Sequence, residues 1–184
     1  MKKKARAAVG RGVGKPGKPT KARAAKPVAK VRARKAAKPA ANARVDLTVT
    51  DRGRPRSDLA RLRRVVRAAL SVGQRPSMPV SLLLTDDAEI SALHAQFLGD
   101  PTPTDVISFE LDGAAELVVS VETAKRCAKE RGHSIADEVA LYVTHGTLHV
   151  CGFDDIRKQD RARMRQAERE ALSSIGIDID DVDA

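Results

Sequence analysis

The sequence predicts an α+β fold: a small mixed β-sheet of about four strands, helices packed against it, the helix bearing His145 and His149 near the centre, and a disordered N-terminal tail. Three observations predict it. Short apolar runs of strand length alternate with longer segments whose apolar residues recur at helical spacing. Two of the strand runs adjoin across Asp112-Gly113, a hairpin signal, so the sheet cannot be wholly parallel. Charge divides the 184 residues sharply: residues 1–44 hold 16 of the 34 Lys+Arg and none of the 24 Asp+Glu. Residues 45–184 therefore carry 18 basic against 24 acidic groups, and the net charge of +10 is +16 from a leader and −6 from a body.

The leader, residues 1–44, is built from Lys, Ala, Arg and Pro, with a loose repeat between Ala24-Ala-Lys-Pro-Val and Ala36-Ala-Lys-Pro-Ala. It has no aromatic residue, four prolines and strong self-repulsion, so it is expected to stay extended. Its cations, among them Lys2, Lys3, Lys4, Arg32, Arg34 and Lys35, suit an RNA backbone through counterion release. A merely solubilising tail has the same composition. An organelle transit peptide fits poorly, because the leader lacks serine and its prolines spoil an amphipathic helix.

In the body, residues 45–184, Val45–Thr50 alternates with period two and reads as a strand. Ser57 is expected to cap a helix in which Leu62, Val65, Val66, Ala69 and Leu70 form the apolar face, while Arg61, Arg63, Arg64 and Arg67 occupy the others. Those arginines either touch RNA or form a solvated face, and no aromatic residue interleaves with them for base stacking. Val80–Thr85 reads as a central strand, and Asp86 caps the helix through Glu89, Ile90 and Leu93. A turn at 99–105 leads to strands Val106–Leu111 and Leu117–Val121, the hairpin between them loosened by Ala114-Ala115. Helical spacing resumes over Glu122–Arg131. Ser134-Ile-Ala-Asp137 looks like the capping box of the helix carrying His145 and His149, and a last amphipathic helix runs from about Arg157 to Ile175.

No apolar stretch approaches the roughly 20 residues that span a bilayer, so no membrane partner and a cytoplasmic location are expected. Cys127 and Cys151 are too few for a disulfide framework. Cys151, two residues after His149, points away from the histidine face and reads as a small buried side chain.

The chemistry lies in His145-Gly-Thr-Leu-His149-Val-Cys-Gly152-Phe-Asp154-Asp155. Two histidines four apart share one helix face with Cβ atoms about 5–6 Å apart, close enough to hold one ion. Gly152 permits a turn, and Asp155 can swing back as a third ligand. Three protein ligands with a fourth position open is the count of a catalytic zinc site; a closed structural site takes four. Such a histidine pair also arises by chance in many helices, so the glycine and the carboxylate carry the distinction. Asp154 is a candidate orienter or base, or simply caps the turn into the last helix.

This run resembles the signature of the bacterial rRNA maturation family YbeY, His-Gly-x-Leu-His-x-x-Gly-Tyr/Phe-Asp-His, at every fixed position but the last. A second block, Pro103-Thr-Asp-Val-Ile-Ser-Phe109, is similar to that family's Pro-Thr-Asp-Val-Leu-Ser-Phe, and the likeness spans the body and none of the leader. The resemblance implies a single-domain, zincin-like, zinc-dependent endoribonuclease that cuts single-stranded RNA in rRNA maturation, notably at the 3′ end of 16S rRNA, and in ribosome quality control. It implies one Zn2+ per chain and the small ribosomal subunit as partner. His145, His149 and Asp155 would be both metal ligands and catalytic residues; Thr104, Asp105, Ser108 and His94 are candidates for lining the substrate pocket. Asp155 stands where the family has a third histidine. Leu98 and His94 stand where it has an arginine thought to hold phosphate and an asparagine, and Ala115-Glu116 replaces a Gly-Asp pair.

Two other readings remain. A ribosome assembly factor whose metal only stabilises the fold would need no phosphate arginine. A metzincin-like protease shares the His-x3-His-x2-Gly spacing but requires a glutamate where this chain has Gly146.

Overall fold

The computed structural model describes residues 7–9, 47–51 and 58–179. Lys2, Lys3, Lys4, Arg32, Arg34, Lys35, Val45 and Ser57 lie outside the described residues. The elements run β1 (Ala7–Val9), β2 (Leu47–Asp51), α1 (Leu59–Val72), β3 (Val80–Thr85), α2 (Asp87–Leu98), β4 (Val106–Leu111), β5 (Ala114–Ser120), α3 (Val121–Arg131), α4 (Ile135–Val150) and α5 (Lys158–Ser173).

The sheet is mixed, in the order β1-β4-β5-β3-β2. Strands β2, β3 and β5 run parallel, whereas β4 pairs antiparallel with β5 and β1 antiparallel with β4. Four of the five strands are those legible in the body. The fifth corrects the expectation of a structureless leader at three residues: Ala7, Ala8 and Val9 pair with Phe109, Ser108 and Ile107. Two alanines and a β-branched valine make an uncharged stretch between Arg6 and Arg11, and it covers an edge of β4 that would otherwise expose unpaired amides and carbonyls.

Alternation along the central strands separates two apolar layers. Val80, Leu82 and Leu84 of β3, Val106 of β4 and Leu117 and Val119 of β5 join α1 and α4 in the main core. Ile107, Phe109 and Val118 face the other way and pack with Ile90 of α2, flanked by Leu83, Leu93 and Leu98. Both faces of the sheet are thus covered, which is why β4 is buried at every position from Val106 to Phe109, Ser108 included.

Helix α4 is the centre of the molecule. It touches α1, α3, α5, β4 and β5, and every residue from Glu138 through Leu148 is buried. Ser134 caps it as expected: its side chain accepts from the Asp137 amide at 3.0 Å. Two local expectations change. Asp58, not Ser57, caps α1, accepting from the Arg61 amide at 3.0 Å. The β4–β5 hairpin is tight, because Leu111 pairs directly with Ala114 and only Asp112 and Gly113 turn, both at positive φ (51° and 84°). Ala114 and Ala115 belong to β5 and do not loosen the loop.

Candidate metal centre

His145 and His149 lie in the last two turns of α4, one above the other as i and i+4 must be. The helix ends just beyond them. Gly152 takes φ 99°, a conformation that a side chain would strain, and reverses the chain; the Phe153 amide then closes onto the Leu148 carbonyl at 3.1 Å. This turn carries the Phe153 carbonyl beneath His149, whose Nδ1 donates to it at 3.1 Å. Asp154 holds the next step of the turn through Oδ1, which accepts from the Asp155 amide at 2.8 Å and the Ile156 amide at 3.2 Å. Asp154 therefore shapes the turn into α5, and its neighbour is the one aimed at the histidines.

The three expected ligands converge: one ligand atom from each of His145, His149 and Asp155 lies within 4.8 Å of the others. The two Nε2 atoms face each other at 2.9 Å, with the rings edge-on at 90°. Asp155 sets Oδ2 3.8 Å from His145 Nε2 and Oδ1 3.8 Å from His149 Nε2, too long for hydrogen bonds and short enough for all three groups to reach one ion.

Protonation tests whether these residues suit a cation. The Phe153 carbonyl can only accept, so His149 Nδ1 carries a hydrogen; His145 Nδ1 donates to the Glu168 carboxylate at 2.5 Å. With both rings neutral, each points an Nε2 lone pair at the other, a repulsive arrangement that a shared cation converts into an attractive one. The donor set of two imidazoles and a carboxylate fits zinc and neighbouring divalent metals. Burial lowers the pKa of His145, but the Glu168 hydrogen bond and charge, followed by Asp105 and Asp155, outweigh it and hold the ring above the ordinary histidine value. His149 goes the other way, pulled down by burial and by His145.

The other candidates separate. Thr104, Asp105 and Ser108 are buried at the start of β4. Asp105 accepts from the Val106 amide at 2.8 Å and the Thr104 hydroxyl at 3.1 Å; burial raises its pKa, and the strongest opposing influence is His145. Ser108 packs beneath α4, its Cβ 3.6 Å from where a Cβ on Gly146 would sit. His94, on α2 across the sheet, donates through Nδ1 to the Thr102 carbonyl at 2.8 Å, so it pins the 99–105 loop. Leu98 packs in the α2 layer. Cys151 lies against Gly73, and burial pushes its thiol up to about 11, as expected of a packing residue.

Glu168 is the residue of this cluster that the sequence reading missed. Its signal was present, since it falls on the apolar face of α5 with Met164, Ala167, Ala171 and Leu172. A carboxylate in such a row needs an internal partner.

Fold and site together define a small α+β domain whose central helix ends in two histidines that, with Asp155, are placed to hold one metal ion. A family model described as Endoribonuclease YbeY matches residues 34–176. The Endoribonuclease YbeY of Desulforamulus reducens is 39% identical over 127 residues, which cover 61% of this chain and 83% of that relative. The one from Nautilia profundicola is 39% identical over 103 residues, covering 53% and 73%. A Thermotoga maritima protein solved in solution shares the fold, with a TM-score of 0.51 at 22% identity over 70% of this chain and 91% of its own. The chain belongs to the endoribonuclease YbeY family.

Proposed function

We propose that the protein is a zinc-dependent endoribonuclease that hydrolyses single-stranded rRNA during maturation of the small ribosomal subunit, in the cytoplasm. One observation carries the reading: both histidine Nδ1 atoms are tied to acceptors, so that both Nε2 atoms converge with Asp155 on one point. When bound there, zinc would supply Lewis acidity and lower the pKa of a water beside it to about 7. His145, His149 and Asp155 hold the ion; Glu168 fixes the His145 tautomer and the Phe153 carbonyl that of His149. Asp155 is partly exposed, with 23% of its side chain accessible, so the open side faces incoming substrate. Asp105, buried beside α4, and Ser108 beneath it shape the floor.

Gly146 disfavours the protease reading on structural grounds. A Cβ there would meet Val106 Cγ2 at 2.9 Å and Leu117 Cδ2 at 3.2 Å, so the position cannot carry a catalytic glutamate. Among the described residues no helix is long and apolar enough to cross a membrane. Arg32, Arg34 and Lys35 are assigned to nonspecific contact with the RNA backbone; changing them to glutamine leaves Ala7–Val9 intact and should flatten the salt dependence of binding.

The test is cleavage of defined single-stranded rRNA fragments by wild type, by His149→Ala and by chelator-treated protein before and after zinc is restored. Cleavage should vanish in the second and third and return with zinc. Equal cleavage in all of them overturns the mechanism, and binding without cleavage in the wild type leaves the assembly-factor reading.

A further inference from the structure

We infer that one edge of α5 is a phosphate-binding track, formed by Lys158, Arg161, Arg165 and Arg169, that leads single-stranded RNA to the metal centre; this deepens the nuclease reading above and rests on it for the choice of ligand. The body as a whole is acidic at −6, yet six of its 18 basic residues crowd into the 13 positions from Arg157 to Arg169. Their placement is not random around the helix. Positions 158, 161, 165 and 169 follow i, i+3, i+7 and i+11, which at 3.6 residues per turn confines them to a sector of about 80° and strings them over about 16 Å. Lys158, Arg161 and Arg169 are exposed and Arg165 is half-buried.

That sector borders the site. Arg161 and Glu168 are seven residues apart, within about 20° of each other around the axis, and Arg165 lies one turn before Glu168. Glu168 is the residue bonded to His145, so the row approaches the metal centre from the exposed side of the same helix that supports it. The acids of α5 leave the charge of Lys158, Arg161 and Arg169 in place. Glu168 is buried with His145, Asp160 lies off the row with Arg163 at 4.0 Å, and Glu170 sits about a quarter-turn away from Arg169. Elsewhere, arginines are spent on the protein: Arg61 on Asp137, and Arg64 on the Ile175 carbonyl at 2.6 Å. Guanidinium groups bind phosphate oxygens through paired donors, and a row of them suits consecutive phosphates of an extended strand better than a single anion.

The experiment compares full-length, zinc-loaded wild type with R161Q/R169Q and with K125Q/K129Q, which removes the same charge from exposed positions of α3. Affinity for a fluorescent single-stranded RNA dodecamer is measured across a salt series, alongside zinc content and the thermal midpoint. R161Q/R169Q should bind about tenfold more weakly at low salt, and its slope of log affinity against log salt should fall by about 1.4, twice the roughly 0.7 expected per phosphate contact on a single strand. Zinc content and midpoint should match wild type, and K125Q/K129Q should bind as wild type does. Unchanged affinity and slope in R161Q/R169Q, or an equal loss in K125Q/K129Q, overturns the track. If wild type binds the dodecamer and never cleaves RNA, the nuclease reading falls while the track stands or falls on the binding data alone.

Discussion

His145 and Glu168, 23 residues apart in the chain, meet in the interior through a 2.5 Å hydrogen bond, their side chains 5% and 1% exposed. The imidazole comes from α4 and the carboxylate from α5, so the aim of His145 Nε2 depends on how these two helices pack. Met164, Ala167 and Leu148 fix that packing on one side, and Leu172 joins the main core on the other. A buried carboxylate at Nδ1 also makes the opposite nitrogen a better electron donor, so one hydrogen bond sets both the direction and the strength of a proposed metal ligand.

Glu168→Gln keeps an oxygen that can accept from Nδ1 and removes the charge. Zinc affinity should fall about 10- to 100-fold, with the fold retained. Competition against a chromogenic chelator reads the affinity and circular dichroism the fold. An affinity equal to wild type in a folded variant would show that the carboxylate is only a packing partner.

Asp155 is the proposed ligand with the weakest geometric hold, with an oxygen 3.8 Å from each Nε2 and on a turn rather than a helix. Asp155→Ala should lose stoichiometric zinc after dialysis and lose RNA cleavage with it. Asp155→His should retain zinc, because an imidazole at the end of the same turn supplies a third ligand of the type zinc prefers. Zinc retained by Asp155→Ala at wild-type affinity would remove the carboxylate from the ligand set.

Gly146→Ala tests the close approach of α4 to the sheet. Alanine is the better helix former by about 1 kcal/mol, but its Cβ would press on Val106 Cγ2 at 2.9 Å, a β-branched side chain fixed in a strand. Overpacking of this kind costs about 1–3 kcal/mol, so the net change should be destabilising by roughly 1 kcal/mol in urea unfolding. A variant more stable than wild type would show that β4 yields easily.

Much of this architecture was legible because short-range physics fixes it. Val80–Thr85 and Val106–Leu111 have the expected bounds, and Ser134 caps α4 as its spacing to Asp137 required. The convergence of His145, His149 and Asp155 was legible too, since i, i+4 geometry and a glycine turn are local. What was hidden depends on distant partners. Glu168 signalled only that it needed a partner, and His145 is 23 positions away. His94 carries a side chain suited to a pocket, yet the sheet lies between it and α4, and only tertiary placement assigns it to the Thr102 carbonyl. The strand at Ala7–Val9 was obscured by the lysines and arginines around it, because composition averages over a window and a three-residue edge strand needs only a free neighbour.

Asp87 gives the fold an acid limit that can be measured. It sits in the first turn of α2 and gathers the start of α3: its Oδ1 accepts from the hydroxyls of Ser120 and of Thr123, the latter at 2.7 Å, and its Oδ2 from Arg126 at 3.1 Å. Burial raises its pKa, but these hydrogen bonds together with the Arg126 charge win, and the carboxyl is held below its ordinary value. A depressed folded-state pKa means that the unfolded chain binds the proton more readily. The contribution is therefore complete above the unfolded value of about 3.9 and is lost as pH falls through the folded one. Arg126 is nearly half exposed, so solvent screens its share and the two hydroxyls carry most of the effect. Asp87→Asn should be less stable than wild type by roughly 1 kcal/mol at pH 7, and the gap should close as pH drops from 5 to 2.5. Urea midpoints at half-unit steps would show it. Stability curves for the two proteins that stay parallel through that window would mean Asp87 contributes through shape and not through its charge.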